Sequence, residues 1–247
     1  MERMRLLGDL LDLLLPERCA GCGGGPGLLC ATCTSPLLSP PRRADAPAGL
    51  PPPWTVAPYD GSLRAVLSAY KEHGRTALAA PLGDCLARAV HAALRPVLCV
   101  PAETAQGARE GPGGQRALTG EAREVLIVPV PSARGAVRRR GHDPVRTLAA
   151  VAVRRLRAEG RSVAHLDALA QRRRVEDQTG LSAGGRAANL AGALAARPVV
   201  EGRDVVLVDD VITTGSTLAE AARAVRAAGG TPRAAATIAA TPRLRRR

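Results

Sequence analysis

Residues 205–217 read Val205-Val206-Leu207-Val208-Asp209-Asp210-Val211-Ile212-Thr213-Thr214-Gly215-Ser216-Thr217. The apolar start predicts a buried strand that carries two acids to the carboxyl edge of a sheet, where open α/β folds bind ligands. The next helix is predicted to open near Ser216, with Thr217 and Glu220 spaced as a capping box. Backbone amides, hydroxyls and the positive end of the helix dipole then predict a cup for a phosphate.

The residue types of this loop favour a phosphorylated sugar as the ligand. Two carboxylates can accept hydrogen bonds from vicinal hydroxyls, while Gly215 lets the backbone approach an anion closely. The alternative is a strand that ends in two exposed acids followed by a well-capped helix, because Asp is common at turns. The candidate ligand-binding residues are Asp209, Asp210, Thr213, Thr214, Gly215, Ser216 and Thr217.

The segments around this loop predict alternating strands and helices. Residues 125–130 form an apolar run, and residues 234–240 are a candidate last strand. Asp143-Pro144 predicts the start of a helix, because Asp can cap free amides and Pro suits the first helical position. The alternation favours an α/β fold with a parallel sheet covered by helices on both faces.

The complete run 205–217 resembles the phosphoribosyl-diphosphate loop of type I phosphoribosyltransferases at every position. The resemblance implies a type I phosphoribosyltransferase-like fold in which the acids hold the ribose hydroxyls and the following residues hold the 5′-phosphate. It also implies Mg²⁺, bound largely through the diphosphate and hydroxyls of the substrate. Some purine-salvage members have an Asp at the position of Thr213.

Other segments resemble the ComF family of competence-associated, phosphoribosyltransferase-like proteins. They are an N-terminal cysteine module, Leu67-Ser68-Ala69-Tyr70-Lys71, Val128-Pro129-Val130-Pro131, Arg139-Arg140-Gly141, Gln178-Thr179-Gly180-Leu181-Ser182, Arg186 and Asn189-Leu190. His142-Asp143-Pro144 departs from the usual Phe-Asn-Gln. The resemblance implies handling of incoming single-stranded DNA during natural transformation, with the DNA-uptake helicase machinery as a partner.

Several residues outside the loop are candidates to complete the site. Pro131, Ser132 and Arg134 follow the first predicted strand, where type I enzymes bind diphosphate; the alternative is a solvated basic loop. Residues 171–189 are a candidate lid that excludes water, with Arg186 as its cation. Lys71 is the only lysine among 35 Lys plus Arg. Either this position needs a compact ammonium rather than a planar guanidinium, or one lysine has survived by chance. Lys71 and Arg186 are the catalytic candidates.

The cysteine spacing Cys19-x2-Cys22-x7-Cys30-x2-Cys33 predicts a structural zinc site with four thiolate ligands. Disulfides are the competing use, and a redox pair is a weaker one. Cys85 and Cys99 lie in apolar segments and are predicted core residues.

Residues 4–15 are leucine-rich but contain Asp9 and Asp12. The run is too short and too charged for a membrane span or a signal peptide, so we expect a cytoplasmic protein. Its helical face comprises Leu6, Leu7, Leu10, Leu11 and Leu14. The predicted organisation is a helix and zinc module (1–35), a Pro-rich linker (36–53), a hood-like segment (54–101), a mobile insertion (102–123) and a phosphoribosyltransferase-like core (124–247).

Two functions stay open from the sequence. The first is an enzyme, or a sensor derived from one, that binds phosphoribosyl diphosphate with magnesium and transfers the phosphoribosyl group to an acceptor. The second is a non-catalytic accessory protein that binds single-stranded DNA and uses the pocket only for recognition or regulation. The net charge of +13 favours an anionic partner, although it also fits an arginine-rich surface. The three aromatic residues (Trp54, Tyr59 and Tyr70) offer little base stacking.

Overall fold

The structure is a computed structural model that describes residues 18–98, 124–173, 185 and 189–242. The predicted helical face in 4–15, the insertion 102–123, Cys99, Arg186 and most of the candidate lid lie outside these residues, as does the side chain of Arg134.

A six-stranded sheet, ordered β1-β2-β8-β7-β3-β4, forms the centre of the described chain. Its strands are β1 (Arg42–Arg43), β2 (Pro53–Pro58), β3 (Val125–Pro129), β4 (Val163–His165), β7 (Asp204–Ile212) and β8 (Thr231–Ala240). Only β1 pairs antiparallel, with β2; the other four pairs are parallel. A separate antiparallel pair comprises β5 (Leu169–Gln171) and β6 (Leu194–Ala196).

The described part of the chain contains six α-helices. They are α1 (Ala31–Thr34), α2 (Gly61–Glu72), α3 (Ala79–Leu98), α4 (Arg134–Arg140), α5 (Pro144–Ala158) and α6 (Ser216–Ala227). Two core clusters lie on opposite faces: one contains residues of α2, α3 and α5, and the other contains residues of α6, β5 and β6. None of these helices is long and apolar enough to cross a membrane.

Strand β7 explains why its sequence is a continuous apolar run. Val206 and Val208 belong to the first core cluster, whereas Val205 and Leu207 belong to the second. Successive strand residues point to opposite faces, so a strand covered on both faces needs apolar residues at every position. The predicted parallel sheet with helices on both faces is confirmed.

Most predicted element starts agree with the structure, and one helix cap does not. Asp143 caps α5 as predicted, because its Oδ1 accepts hydrogen bonds from the amides of Val145 (3.1 Å) and Arg146 (3.3 Å). The predicted capping box of α6 is wrong, since the N-cap residue is Gly215 and the Glu220 carboxylate accepts from the Leu194 amide instead. Residues 36–53 contain β1 and most of a 3₁₀ helix (Ser35–Leu38); the predicted domain boundaries stay predictions.

Candidate functional site

The two acids lie near the carboxyl end of β7, which is flanked by β3 and β8. The strand continues past them to Ile212, because β8 pairs along the whole segment, with Asp209 opposite Thr237. The predicted strand 205–208 is therefore longer in the structure. The main chain holds both carboxylates: the Asp210 amide donates to Asp209 Oδ1 (2.8 Å), and the Val211 amide donates to Asp210 Oδ1 (2.9 Å).

Asp210 is buried and makes an ion pair with the chain's one lysine. Its residue surface is 5% exposed, and its Oδ2 lies 2.5 Å from Lys71 Nζ. Lys71 comes from the last turn of α2, far away in sequence. The fold thus brings Lys71, which belongs to the predicted hood-like segment 54–101, next to the acid pair. The sequence did not specify this proximity.

Burial and charge shift the proton affinities of this cluster. Burial, followed by the adjacent Asp210 carboxylate, raises the pKa of Asp209 well above the ordinary value, and Lys71 only partly offsets this. Burial acts to lower the pKa of Lys71, but the charge and hydrogen bond of Asp210 outweigh it and raise that pKa. A ligand that supplies hydrogen-bond donors or a cation would therefore stabilise the ionised form of Asp209.

The turn after β7 presents the N-terminus of α6 to this acid pair. Gly215 precedes the helix with a left-handed φ of 80°, which favours glycine. Thr214 Oγ1 lies 3.0 Å from Ser216 Oγ and accepts from the Ser216 amide at 3.4 Å. The N-cap residue of α6 is Gly215, which has no side chain to cap the helix, so the first-turn amides that follow Ser216 are available to an anion.

A second reason for glycine at 215 lies in the segment between β1 and β2. A Cβ on Gly215 would approach Pro47 Cδ to 2.7 Å and Leu50 Cδ2 to 3.2 Å. Arg226 of α6 also donates through Nη1 to the Gly49 carbonyl (2.8 Å). Residues 47–50 therefore pack against the candidate phosphate loop and form one of its walls.

The candidate diphosphate segment lies beside the same strand end. The Val130 amide donates to the Val208 carbonyl (2.9 Å), which aligns residues 131–134 with the start of the acid pair. Ser132 donates from Oγ to Asp143 Oδ1 (3.0 Å) and from its amide to Asp143 Oδ2 (3.3 Å). Pro131 is half-buried. Asp143 thus both caps α5 and holds the turn that contains Ser132. The sequence predicted only the helix cap.

Contacts of α2 hold Lys71 over the site. Tyr70 donates its hydroxyl to the Pro144 carbonyl (3.1 Å), and its ring lies 6.0 Å from that of His142. Glu72 accepts hydrogen bonds from both Nε and Nη2 of Arg140. Residues on both sides of Lys71 are therefore fixed to the start of α5 and the end of α4, which limits where the ammonium can reach.

Glu220, which the sequence placed in a capping box, instead connects α6 to β6. It is 6% exposed, and its Oε1 accepts from the Leu194 amide of β6 (3.0 Å). Arg223 donates to both of its oxygens, at 2.7 and 2.8 Å. Burial acts to raise the pKa of Glu220, but these hydrogen bonds outweigh it and lower that pKa. The contact ties the strand that follows the candidate lid to the helix that follows the phosphate loop.

The four cysteines of the N-terminal module form one cluster, as predicted. Their Sγ atoms all lie within 4.8 Å of one another, and the Cys22 and Cys30 sulfurs are 3.8 Å apart. Tetrahedral zinc with Zn–S bonds of about 2.3 Å needs sulfurs about 3.8 Å apart, so the donor set fits this ion. The described cysteines are free thiols, which does not favour the disulfide alternative. The other described cysteine, Cys85, is buried in the core as predicted.

Local geometry explains how the module closes. The Cys30 amide donates to Cys19 Sγ (3.3 Å), and such amide hydrogen bonds lower the pKa of Cys19 to about 6. Burial raises the pKa of Cys33 to about 12, so a bound cation is needed to make all four thiolates stable together. A Cβ on Gly21 would lie 2.6 Å from Cys33 Sγ, so glycine is required at this knuckle.

Comparison with known families identifies the core. The family model for the phosphoribosyl transferase domain matches residues 146–246, which span α5 to β8 and include the loop after β7. No curated protein matches the chain. The chain therefore carries a phosphoribosyltransferase domain with a mainly parallel sheet, together with an N-terminal cysteine cluster able to hold a metal such as zinc. Lys71, Ser132 and Asp143 precede the matched segment.

Proposed function

We propose that the protein binds phosphoribosyl diphosphate with magnesium at the end of β7 and transfers the phosphoribosyl group to an acceptor. One observation carries the proposal: a pair of carboxylates precedes an α-helix N-terminus whose N-cap residue, Gly215, has no side chain, inside a phosphoribosyltransferase domain. The acids suit the ribose hydroxyls, and the amides and hydroxyls of residues 213–217 suit the 5′-phosphate. Phosphoribosyl diphosphate contains both groups.

The diphosphate would lie towards Pro131, Ser132 and Arg134, at the adjacent strand end. In the reaction the bond from ribose C1 to the diphosphate oxygen breaks, and the diphosphate leaves with the electron pair while a bond forms from the acceptor to C1. The protein would contribute by positioning the sugar, stabilising the departing charge and excluding water. Magnesium, bound mainly through the ligand, would neutralise part of that charge.

Lys71 is the proposed cation of the site, with Arg186 as a second one carried by the lid. The 2.5 Å pair with Asp210 keeps the ammonium next to the ribose position, and the α2 contacts restrict its movement. A compact ammonium fits this place because it can turn from a carboxylate to an arriving diphosphate without the planar geometry that a guanidinium imposes. This role distinguishes Lys71 from a chance lysine, since its conservative variant Lys71→Arg should keep the charge and lose part of the activity.

We further propose that Cys19, Cys22, Cys30 and Cys33 hold one structural zinc ion. The proposal rests on the cluster of four sulfurs and on the required close approach at Gly21. Zinc would link the module's two knuckles and keep the segment that leads to β2 in place.

The biological role that we propose is of the ComF type: a cytoplasmic protein that assists DNA uptake in natural competence, in contact with the uptake helicase machinery. The alternative is an accessory protein that binds single-stranded DNA without catalysis. The net charge of +13 supports an anionic partner in either case. Arg43, whose guanidinium lies 5.5 Å from the Trp54 ring centre, offers one stacking surface at the edge of the sheet.

Calorimetric titration with phosphoribosyl diphosphate and magnesium tests the binding proposal. Wild type should bind, and Asp210→Asn should lose about 10- to 100-fold in affinity, because a charged hydrogen-bond acceptor is removed. The matched control is Asp204→Asn, an acid at the other end of β7 that pairs with Arg233 (2.8 Å) and should stay within about twofold of wild type. Equal losses in both variants, or no binding by wild type, would refute the proposal.

Two further measurements separate the enzyme from the accessory protein. Turnover of phosphoribosyl diphosphate with a panel of bases supports the enzyme, whereas binding without turnover across the panel supports the accessory role. Affinity for single-stranded DNA that falls steeply with salt supports direct nucleic-acid binding by counterion release. If Asp209→Ala leaves that affinity unchanged, the nucleic acid binds away from the pocket.

A further inference from the structure

A long apolar groove lies outside the site at the end of β7. Its volume is about 770 Å³, and it runs between the 3₁₀ helix Ser35–Leu38 and helices α3 and α5. Leu37, Leu38, Cys85 and Ala92 supply apolar lining. The described lining residues include no member of the acid pair, the phosphate loop or the cysteine cluster, so neither proposed site explains the groove.

Leu38, on the lip of the groove, is held in an exposed position. Its side chain is 59% exposed, and it is one of two large apolar residues so exposed in the described part of the chain. Arg88 of α3 donates through Nη2 to the Leu38 carbonyl (2.7 Å) and to the Ser39 carbonyl (3.4 Å). The main chain at Leu38 is therefore fixed while its side chain faces water beside the apolar lining of the groove.

The rim of the groove is charged, but three of its charged residues pair with one another. Glu159 lies 3.1 Å from Arg155 and 3.6 Å from His91. These contacts partly neutralise the three side chains, and Arg88 is engaged by main-chain carbonyls; Asp84 and Arg95 also lie on the rim, around the apolar part of the lining. Such a surface fits an apolar stripe on a peptide helix better than a small ionic ligand.

We propose that the occupant is the chain's own leucine-rich segment 4–15, docked as an amphipathic helix. This segment contains seven leucines, and five of them fall on one helical face, with Asp9 and Asp12 on the opposite one. A twelve-residue helix is about 18 Å long, and the stretch of α3 from Pro81 to Arg95 that lines the groove is about 21 Å long. The lengths of segment and groove therefore agree.

The point where the chain enters the described structure supports the same occupant. Only Pro16 and Glu17 separate the segment from Arg18, where the described residues begin. The next residue, Cys19, belongs to the cluster that includes Cys33, and the neighbouring Thr34 already lines the groove. So short a tether gives the segment a high effective concentration at its own groove, which favours it over a second copy or an unrelated peptide.

Photo-crosslinking of the full-length protein tests the docking. A benzoylphenylalanine in place of Leu10 should join the segment to peptides that contain residues 34–41 or 81–95 of the same chain. The matched control carries the probe at Asp12, on the opposite helical face, and should give about fivefold less of this product. Products no more abundant than the control, products of dimer size, or products mapped elsewhere would overturn the proposal.

A pair of surface variants separates docking from general misfolding. Leu38→Glu should reduce the Leu10 crosslink by about fivefold, because a charge replaces apolar surface on the lip. Val199→Glu changes the other exposed large apolar residue, 47% exposed, and should leave the crosslink unchanged. Equal yields from the two variants would contradict a groove-specific contact. Both variants should keep the zinc content of the parent, which verifies that the cysteine module is folded.

Discussion

Replacing Lys71 by methionine should destabilise the protein more than removing its partner's charge does. Methionine keeps the apolar stem but leaves Asp210, 5% exposed, as a buried carboxylate next to Asp209. Loss of one partner of a buried ion pair costs about 3–5 kcal/mol. Because the Lys71 side chain is 30% exposed and water partly screens the pair, we expect a loss of about 2–3 kcal/mol.

The opposite change has a smaller expected cost. Asp210→Asn leaves an ammonium that water can reach, and it also removes the charge that repels Asp209, so the loss should stay below about 1 kcal/mol. In the double variant the Lys71–Asp210 pair is removed as a whole, so Asp210 no longer leaves an uncompensated buried charge, and more than half of the stability lost in Lys71→Met should return. This recovery is the signature of a coupled pair.

Urea unfolding of the three variants and wild type, followed by circular dichroism at neutral pH, measures these differences. The corresponding fall in thermal midpoint for Lys71→Met is about 4–12 °C for a chain of this size. If Lys71→Met lies within about 0.5 kcal/mol of wild type, or if the double variant shows no recovery, the pair does not organise the site as we infer.

Three further predictions follow from the site and the module. The raised pKa of Asp209 means that the folded protein keeps this proton at pH values where the unfolded chain has lost it. The contribution of Asp209 to stability should therefore fall as the pH rises from 3.8 through the raised pKa. Affinity for phosphoribosyl diphosphate should rise over the same range, because the carboxylate forms. Cys22→Ser should lower zinc content measured by atomic emission, since one of four thiolate ligands is lost. Glu220→Ala should speed amide exchange at Leu194, whose buried N–H loses its acceptor, and cost about 1–3 kcal/mol.

Each of these predictions has a matched comparison. Asp209→Asn should remove the part of the pH dependence of stability and affinity that we assign to Asp209. If the variant shows the same pH dependence as wild type, another group causes it. Cys85→Ala changes a cysteine outside the cluster and should keep full zinc content. Glu201→Ala removes an exposed acid and should leave Leu194 exchange unchanged; equal acceleration in both variants would rule out Glu220 as the anchor.

Much of the fold could be predicted because local and periodic signals carry it. The apolar run before Asp209 and the Asp143-Pro144 start of α5 depend on burial on both faces and on capping, which act over a few residues. The capping box at Glu220 failed for the opposite reason. Its side chain turns away from its own helix to the Leu194 amide of β6, and no local pattern specifies a partner 26 residues away.

By itself the sequence determined the order of strand, turn and helix around β7 and the four-sulfur cluster, because both rest on short spacings along the chain. Only the tertiary structure decided that Lys71 would meet Asp210, that Asp143 would tie down Ser132, and that Pro47 would press against Gly215. These contacts join α2, the turn after β3 and the segment before β2 to one sheet edge. Their partners are distant in sequence, so packing of the two cores, rather than any local preference, fixes them.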